Sequence, residues 1–273
     1  MYKKNEDIDY SKFTFPVIIK PIDQSGSRTV HLCSDANDMY LFIKNNYEVD
    51  GWIVEEYLEG NEYSVETITI NRKHYFVGIT EKIKTSPPRF VELGHVFPAD
   101  ISINLYDNIK KIVKRFLDGA KYEFGPCHTE VIVTKDGVKI VESQARFGGD
   151  QINKLIEIST EEDAEELIFK VLSQKMKIEQ NEIPKFHKKN ISKIKYISYK
   201  EGEEVERLNE INTIYDLPFV HSMSLEVDEG RLAPYIVDSK SRHGYIIFSA
   251  KNHNELIDYE RQINTILNKT NFS

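Results

Sequence analysis

The sequence predicts an α+β fold, in which antiparallel strands are interleaved with helices. Short apolar strand segments alternate with amphipathic helical segments, and strands before residue 180 recur as hairpins. Because hairpins pair antiparallel, a doubly wound parallel sheet fits this pattern less well. The composition changes near residue 180, where short β-like segments replace the interleaved pattern. These observations predict an α+β body followed by a smaller β-rich part.

The strands of the first part are short apolar runs bounded by turn residues. They are predicted at Pro16–Pro21, Thr29–Cys33, Trp52–Leu58, Tyr63–Ile70 and Tyr75–Thr80. Small or polar residues supply the turns at Ser25-Gly26-Ser27 and at Asn71–Lys73. A hairpin with its flanks is predicted over Gly125–Gly149.

Three helices follow from apolar residues at helical spacing. One is predicted over Asp35–Asn46, opened by an Asp or Ser cap, and a second over Ile103–Lys121, ending near Gly119. A third runs from about Asn254 to Leu267. Its apolar face is predicted to comprise Leu256, Ile257, Tyr259, Ile263 and Ile266.

A polar, Lys- and Glu-rich stretch containing Pro184 separates the two parts of the chain. Lys175 to Lys189 is interpreted as a linker, or as an exposed helix end followed by a linker. The β-like segments beyond it are Ile194–Tyr199, Phe219–Val227 and Tyr245–Ser249.

Length and composition restrict the class of protein. At ~150 residues per domain, the 273 residues suggest about two domains. The net charge is −8, which disfavours a nucleic-acid binder. Two cysteines, Cys33 and Cys127, form neither a disulfide framework nor a zinc set. No apolar run approaches the ~18 residues of a membrane span, so we expect a cytoplasmic protein without a membrane partner.

The hairpin contains the most informative spacing. A three-residue loop, Lys135–Gly137, would set Thr134 opposite Val138 and therefore Glu130 opposite Glu142. The same register places His128 opposite Gln144 on that face, while Val131, Val133 and Val141 point to the other face. Facing carboxylates repel each other unless a hard cation such as Mg²⁺ lies between them. A two-residue loop would shift the pairing by one position, and an exposed polar face is the simpler alternative.

The segment after the hairpin could approach a ligand. Gly148 and Gly149 let the backbone come close to a bound group and present its N–H donors. Arg146 could offer its planar fork to a phosphate or a carboxylate, although a surface ion pair is the commoner role of an isolated arginine.

Two upstream segments carry weaker signals. Lys20 lies inside an apolar strand, where an unpaired charge is unfavourable, so we expect an anionic partner. The loop Ser25–Arg28 has spare N–H and hydroxyl groups, but it is not a Walker A sequence.

Farther on, the chain leaves its strand at Tyr57–Leu58, where free backbone groups could form hydrogen bonds with the edge of an adenine, and Glu62 could hold a ribose. An ordinary edge hairpin with acidic, solvent-facing residues is the alternative.

In this order, the lysine strand, the small-residue loop, the Val54–Glu62 turn and the Glu130–Gly149 hairpin resemble the ATP-grasp superfamily. The resemblance covers roughly Phe15 to Gln180. The sequence is most similar to carboxylate–amine (L-amino acid) ligases and their carbamoyl-phosphate-synthase-like relatives. Glu92–Pro98 (ELGHVFP) is similar to the Glu-x-Gly-His-x-x-Pro element of those ligases, and Arg242–Ile247 resembles part of their small C-terminal domain.

The resemblance implies a fold in which two α+β subdomains clasp ATP, with a small C-terminal β-rich subdomain. It places an N-terminal extension at 1–14, the lid subdomain at 15–60, the metal and substrate subdomain at 61–180 and the C-terminal subdomain at 190–273. It also implies a role for each matching residue. ATP would be held by Lys20, Ser25, Gly26, Ser27, Glu55, Tyr57, Leu58 and Glu62. Mg²⁺ or Mn²⁺ would be held by Glu130, Glu142 and Gln144. The catalytic residues would be Lys20 and Arg146, and the substrate site would include Glu92, His95, Arg146 and Gly149.

The chemistry that the resemblance implies is activation of a carboxylate as an acyl phosphate, which an amine then displaces. Two features depart from the family pattern: Gln144 stands where asparagine is common, and only fourteen residues precede Phe15. Three functions therefore stay open: a ligase core, an ATP-binding subunit that needs a partner with the missing N-terminal domain, and a phosphotransferase. The expected partners are small carboxylates and amines, with a homodimer as a further possibility.

Overall fold

The computed structural model describes residues 1–4, 6, 8–24, 26, 28–87, 90–173 and 186–273. Within these residues the strands form two sheets, and every strand pair is antiparallel. Helices cover the sheets, so the predicted α+β class is confirmed. Most of the predicted linker Lys175–Lys189 lies outside the described residues.

The smaller sheet has the strand order β1-β4-β2-β3. Its strands are β1 (Tyr2–Lys3), β2 (Val17–Pro21), β3 (His31–Cys33) and β4 (Gly51–Glu56), and helix α1 spans Ala36–Asn45. The Asp35 side chain caps α1 by accepting a hydrogen bond from the Asp38 amide, as the cap signal predicted. Since β1 pairs with β4, part of the predicted extension 1–14 belongs to this sheet.

The larger sheet has the strand order β11-β12-β10-β7-β6-β5-β8-β9. Its strands are β5 (Asn61–Ile70), β6 (Lys73–Lys84), β7 (Glu92–Phe97), β8 (Phe124–Thr134), β9 (Gly137–Gln144), β10 (Ile191–Tyr196), β11 (Val220–Leu225) and β12 (Gly244–Ala250). Because β10 pairs with β7, the strands of 190–273 extend the sheet of the preceding segment. The four predicted subdomain ranges stay a prediction.

Helices cover both faces of the larger sheet. They are α2 (Ile103–Gly119), α3 (Ile152–Thr160), α4 (Ala164–Leu172), α5 (Leu208–Asn212) and α6 (His253–Leu267). Helices α2 and α6 pack on one face, while α3 and α4 pack on the other. The prediction for Ile257 was wrong: this residue is exposed, because it lies one residue, or about 100°, around the helix from buried Leu256.

Residues of even number on β5 face the side that α3 covers. Ile68 and Ile70 pack against α3 in the core, whereas Glu62, Ser64 and Glu66 lie on the same side nearer the small sheet. The polar half of this face is therefore buried beneath the space between the two sheets. These acidic residues lie on a central strand, so the alternative of an edge hairpin with solvent-facing carboxylates is wrong.

Candidate active site

A cleft of about 790 Å³ lies between the two sheets. Its volume falls within the ~300–1,000 Å³ of small-molecule sites. Every predicted site residue that the structure describes lines this cleft: Lys20, Gly26, Glu55, Tyr57, Leu58, Glu62, Glu92, His95, Glu130, Glu142, Gln144, Arg146 and Gly149. Ser25 and Ser27 lie outside the described residues. Residues more than 120 positions apart in the chain thus meet in one space.

The small sheet contributes a lysine and a carboxylate on neighbouring strands. Lys20 of β2 has its Nζ 2.8 Å from Glu55 Oε2 of β4, so the anionic partner expected for this lysine is present. Strand β4 ends at Glu56, and the chain then leaves the sheet at Tyr57 and Leu58, as predicted. The backbone of these two residues is consequently outside the ladder at the wall of the cleft.

Gly26 and Arg28 lie beside a segment from the C-terminal part of the chain. Gly26 has a φ of 71°, which favours glycine, and its carbonyl accepts a hydrogen bond from the Ser239 amide at 3.3 Å. Arg28 Nε lies 3.3 Å from Asp238 Oδ2. Gly26 and Arg28 therefore connect the small-sheet side of the cleft to the segment around Asp238.

The β8–β9 hairpin sets Glu130 opposite Glu142 and His128 opposite Gln144, as predicted. The predicted turn was wrong, because Thr134 pairs with Gly137 across a two-residue turn instead of with Val138. A bulge between Glu130 and Val131 takes up the difference.

The same bulge changes which residues of the hairpin face the core. Val131 and Val133 pack in the apolar cluster beneath α2, as predicted. Ile140 joins them in place of Val141, and both of these residues also border the cleft. The prediction for Val141 was wrong because it assumed a ladder without an extra residue.

Lys82 lies at the centre of the carboxylates on the floor of the cleft. Its Nζ is 2.7 Å from Glu62 Oε1, 2.7 Å from Glu130 Oε1 and 3.8 Å from Glu92 Oε1, and its side chain is 6% exposed. Burial alone would lower the pKa of Lys82, but the three carboxylates outweigh burial and raise it. Lys84 forms a second ion pair with Glu62. The acidic residues of the floor are thus neutralised from within the protein.

His128 lies between two carboxylates. Its Nδ1 is 2.7 Å from Glu66 Oε1 and its Nε2 is 3.2 Å from Glu130 Oε1. Burial would lower the pKa of His128, but the two carboxylates raise it to about 9, so the ring is an imidazolium at neutral pH. Burial likewise favours a neutral Glu130, yet Lys82 and His128 hold its pKa well below the usual range.

The Glu130–Glu142 pair suits a hard divalent cation. Burial and, next, the charge of Glu130 raise the pKa of Glu142, and a cation between the two carboxylates would offset both effects. Gln144, whose Nε2 donates to Glu142 Oε1 at 2.8 Å, adds an amide oxygen on the same face. Across the described ranges, no three His, Cys, Asp or Glu side chains are arranged to hold a metal alone. A magnesium ion here would therefore need oxygen ligands from nucleotide phosphates or water as well.

The segment after β9 brings an arginine and two glycines to the cleft. Arg146 is exposed, and its Nη1 donates to the Phe147 carbonyl at 2.6 Å. A Cβ on Gly148 would approach His128 Nδ1 to 3.1 Å and Glu66 Oε2 to 3.2 Å, whereas one on Gly149 would meet only Arg146 Nη1, at 4.0 Å. Gly148 therefore permits close packing against the buried imidazolium, and Gly149 borders open space.

Strand β7 contributes Glu92 and His95 at the far end of the cleft. The Ser239 hydroxyl donates to Glu92 Oε2, and Glu92 and His95 are both buried. His95 Nε2 lies 3.4 Å from Asp150 Oδ2. This end of the site is thus built from β7, the turn before α3 and a segment of the C-terminal part.

Lys82, Lys84 and Asp150 were not identified from the sequence. The first two belong to an extension of β6 past the predicted end at Thr80. Because three of the four residues Glu81–Lys84 are charged, this stretch has the composition of a solvated strand end. The antiparallel pairing of β6 with β5 could have identified Lys82. With Ser64 opposite Thr80, the register places Lys82 on the same face of the sheet as Glu62.

This geometry defines a class of protein in which two antiparallel sheets clasp a polar cleft, with a lysine on one side and facing carboxylates on the other. The family model of the ATP-grasp domain matches residues 13–154, which are just over half of the chain. The chain belongs to the ATP-grasp family.

Three further comparisons show which known proteins the chain is similar to. An uncharacterized protein of Sinorhizobium fredii, y4rH, is 29% identical over 157 residues, and the match covers 54% of this chain and 32% of that protein. A phosphoribosylamine–glycine ligase of Methanosphaera stadtmanae is 22% identical over 170 residues, and the match covers 54% of this chain and 39% of the ligase. The crystal structure of an L-amino acid ligase from Bacillus licheniformis superposes with a TM-score of 0.78 at 21% identity, covering 93% of this chain and 63% of that one.

The structural likeness at 21% identity shows that the fold is shared. The chain spans between 32% and 39% of the length of the two curated relatives. Among the helices of the described part, none has both the length and the apolar character to cross a bilayer.

Proposed function

We propose that this chain is the nucleotide-binding core of an ATP-dependent ligase, which activates a carboxylate as an acyl phosphate and joins it to an amine. The observation that carries the proposal is that the described residues singled out from the sequence all line one cleft. A lysine, an arginine and two facing carboxylates at one cleft suit phosphoryl transfer, in which positioning and charge neutralisation replace a protein nucleophile.

In this proposal, ATP binds between the sheets. The Lys20 ammonium contacts the phosphates, and the loop containing Gly26 closes over them. Glu55 and the backbone of Tyr57 and Leu58 hold the adenine, while Glu62 holds the ribose. Binding would require rearrangement of two ion pairs, because Lys20 bonds Glu55 and Lys82 bonds Glu62 in the structure.

Glu130, Glu142 and Gln144 would hold Mg²⁺ or Mn²⁺. When bound, the ion would neutralise negative charge on the nucleotide phosphates. His128 and Lys82 hold Glu130 in its ionised form, so this carboxylate is ready to act as a ligand at neutral pH.

The reaction proceeds in two steps, formation of the acyl phosphate and its displacement by the amine. An oxygen of the substrate carboxylate attacks the γ-phosphorus, the bond from that phosphorus to the β–γ bridging oxygen breaks, and ADP leaves. The amine nitrogen then attacks the acyl carbon, inorganic phosphate leaves and the nitrogen loses a proton. Arg146, exposed at the cleft, stabilises the negative charge of both transition states, and Glu92, His95 and Gly149 form the acceptor end.

The test is an ADP-release screen of the purified chain with ATP, Mg²⁺ and pairs of amino acids, followed by mass spectrometry of the products. We expect ADP release that depends on an added amine and yields an amide. Arg146→Met should lower the rate by at least about 100-fold, as expected for loss of a charge-stabilising donor. Arg261→Met, on the exposed surface of α6, is the matched control and should leave the rate unchanged.

Two other results would overturn the proposal. ADP release with a phosphorylated small molecule and no amide would identify a phosphotransferase. Nucleotide binding without ADP release under any pair of substrates would identify an ATP-binding subunit that depends on a partner for catalysis.

A further inference from the structure

Arg242, two residues before β12, reaches the turn between β9 and α3. Its Nη2 donates to Asp150 Oδ1 at 2.8 Å and its Nη1 donates to Asp150 Oδ2 at 3.2 Å, so the pair is bidentate. The guanidinium carbon lies 3.4 Å from the centroid of the Tyr196 ring, and the arginine side chain is 11% exposed. A residue of the C-terminal part is thus firmly held against the acceptor end of the proposed site.

The turn that Arg242 holds has an unfavourable backbone conformation. Asp150 and Gln151 have φ values of 51° and 63°, so two consecutive non-glycine residues adopt the left-handed region. Such conformations persist when surrounding contacts enforce them. Besides the two bonds from Arg242, the Asp150 carbonyl accepts a hydrogen bond from the Tyr196 hydroxyl at 3.3 Å. These contacts fix the turn one residue beyond Gly149.

Asp150 also holds the imidazole of His95. The 3.4 Å contact between His95 Nε2 and Asp150 Oδ2 requires a proton on Nε2, and the Tyr196 ring meets the His95 ring edge to face at a centroid distance of 6.0 Å. His95 is 1% exposed, and among the described residues its Nδ1 has no hydrogen-bond partner. The Asp150 carboxylate therefore sets the orientation of His95.

The charges agree with this geometry. Burial would raise the pKa of Asp150, but hydrogen bonds from His95 and Arg242 hold it well below its usual range. The carboxylate is consequently ionised, and it connects the guanidinium to the imidazole. Glu92, on the same strand as His95, accepts from Arg242 Nη1 through its carbonyl at 3.5 Å.

We infer that Arg242 is a positioning residue of the acceptor end: through Asp150 it orients His95 and holds the turn that presents Arg146 and Gly149. The inference rests on the proposed function for its kinetic consequence, whereas the held turn is a property of the folded chain alone. Through Arg242, the C-terminal part of the chain would thus contribute to binding of the amine.

The kinetic test compares Arg242→Met, Arg242→Lys and Asp150→Asn in the full chain, with Arg231→Met as the exposed control from the same region. We expect Arg242→Met to lower kcat/KM for the amine by about 10- to 100-fold while KM for ATP changes by less than about 2-fold. Arg242→Lys should restore part of the loss, because it keeps the charge without the bidentate fork. The double variant Arg242→Met with Asp150→Asn should lose no more than the larger single loss, since both act through one contact.

The inference is overturned if the two single losses multiply in the double variant, or if KM for ATP rises in parallel with the amine effect. Hydrogen–deuterium exchange provides an independent readout. Arg242→Met should speed exchange of the amides of residues 145–152 by about 10-fold or more, with no change in α6. Unchanged exchange in 145–152 overturns the inference whatever the activity.

If the proposed function is wrong, the kinetic and exchange experiments give a different combination of results. In that case the wild-type chain releases no ADP with any amine, while the exchange experiment still decides whether Arg242 holds the turn. Should Arg242→Met fail to fold, Arg242→Lys and Asp150→Asn supply the same exchange comparison.

Discussion

The ammonium group of Lys82 lies 2.7 Å from the nearer carboxylate oxygen of Glu130; the lysine side chain is 6% exposed and that of Glu130 is 18% exposed. Glu62 shares the same ammonium, also at 2.7 Å. The lysine therefore compensates carboxylates that would otherwise repel each other on the floor of the cleft.

Removal of this lysine should destabilise the protein strongly. Lys82→Met removes the common cation of Glu62 and Glu130, whereas Lys84 and His128 still pair with these two carboxylates. Because the charges are not left wholly unpaired, we expect the free energy of unfolding to fall by about 1.5–3 kcal/mol, as for the loss of hydrogen bonds to charged groups. Urea denaturation measures the change. Lys114→Met, which breaks an exposed i,i+4 pair on α2, is the control and should change stability by less than about 0.5 kcal/mol.

Magnesium should partly compensate the missing ammonium. If a cation binds among these carboxylates, millimolar Mg²⁺ will raise the Tm of Lys82→Met more than that of the wild-type chain, because ligands that bind the folded state stabilise it. Equal shifts in the two proteins would contradict the placement of the metal at Glu130.

Glu142→Gln should abolish nucleotide turnover that depends on Mg²⁺. The substitution keeps the size of the side chain and removes one of the two facing charges, so the ion loses a hard anionic ligand. We expect turnover to fall by at least about 100-fold, measured as ADP release over a range of Mg²⁺ concentrations. Glu157→Gln, on the exposed side of α3, is the matched control. Retained turnover in Glu142→Gln would show that the metal assignment is wrong.

Local sequence signals predicted the elements whose apolar residues follow a single period. Helices α1 and α2 have capping residues and spaced apolar positions, and each begins one residue after its capping residue. Helices α3 and α4 were not identified, and α3 follows directly from Gln151 in the left-handed region, without a side-chain cap. A helix that begins from a strained turn has no start signal in the sequence.

The site was predictable where its residues come from one hairpin, and less so where strands far apart in the chain meet. The opposition of Glu130 and Glu142 was predicted correctly but from a three-residue loop that was wrong. With the observed two-residue turn, the two residues stay opposite because of a bulge that was not predicted. Asp150 and Arg242 are separated by 92 residues, and no spacing rule relates them. Lys82 looks like a solvated charge until β6 is paired with β5.

Gly148 and Gly149 should respond differently to the same added methyl group. In Gly148→Ala the new Cβ would lie 3.1–3.2 Å from His128, Glu66 and Ile152, so we expect destabilisation by about 1–3 kcal/mol. Gly149→Ala has nothing closer than 4.0 Å, and its free energy of unfolding should change by less than about 1 kcal/mol. Urea denaturation of the two variants is a matched comparison. Equal losses would show that the tail does not pack against the imidazolium as described.

The Asp150 carboxylate should make stability depend on pH in the acidic range. Because contacts with His95 and Arg242 hold its pKa in the folded state below the usual 3.8, the unfolded state takes up the proton first as the pH falls. The stabilisation is complete above pH 3.8 and is lost below it, as the pH falls through the folded-state pKa. Asp150→Asn should therefore be less stable than the wild type by about 1–3 kcal/mol at pH 7, less than for a fully buried pair, because this carboxylate is partly exposed. That difference should shrink in urea titrations repeated toward pH ~3. The control is Asp258→Asn, which breaks an exposed ion pair with Arg261 and should show no such convergence, since exposed pairs contribute little at any pH. A wild-type advantage over Asp150→Asn that stays constant from neutral to acidic pH would mean that the stabilising contact is not made by an ionised carboxylate.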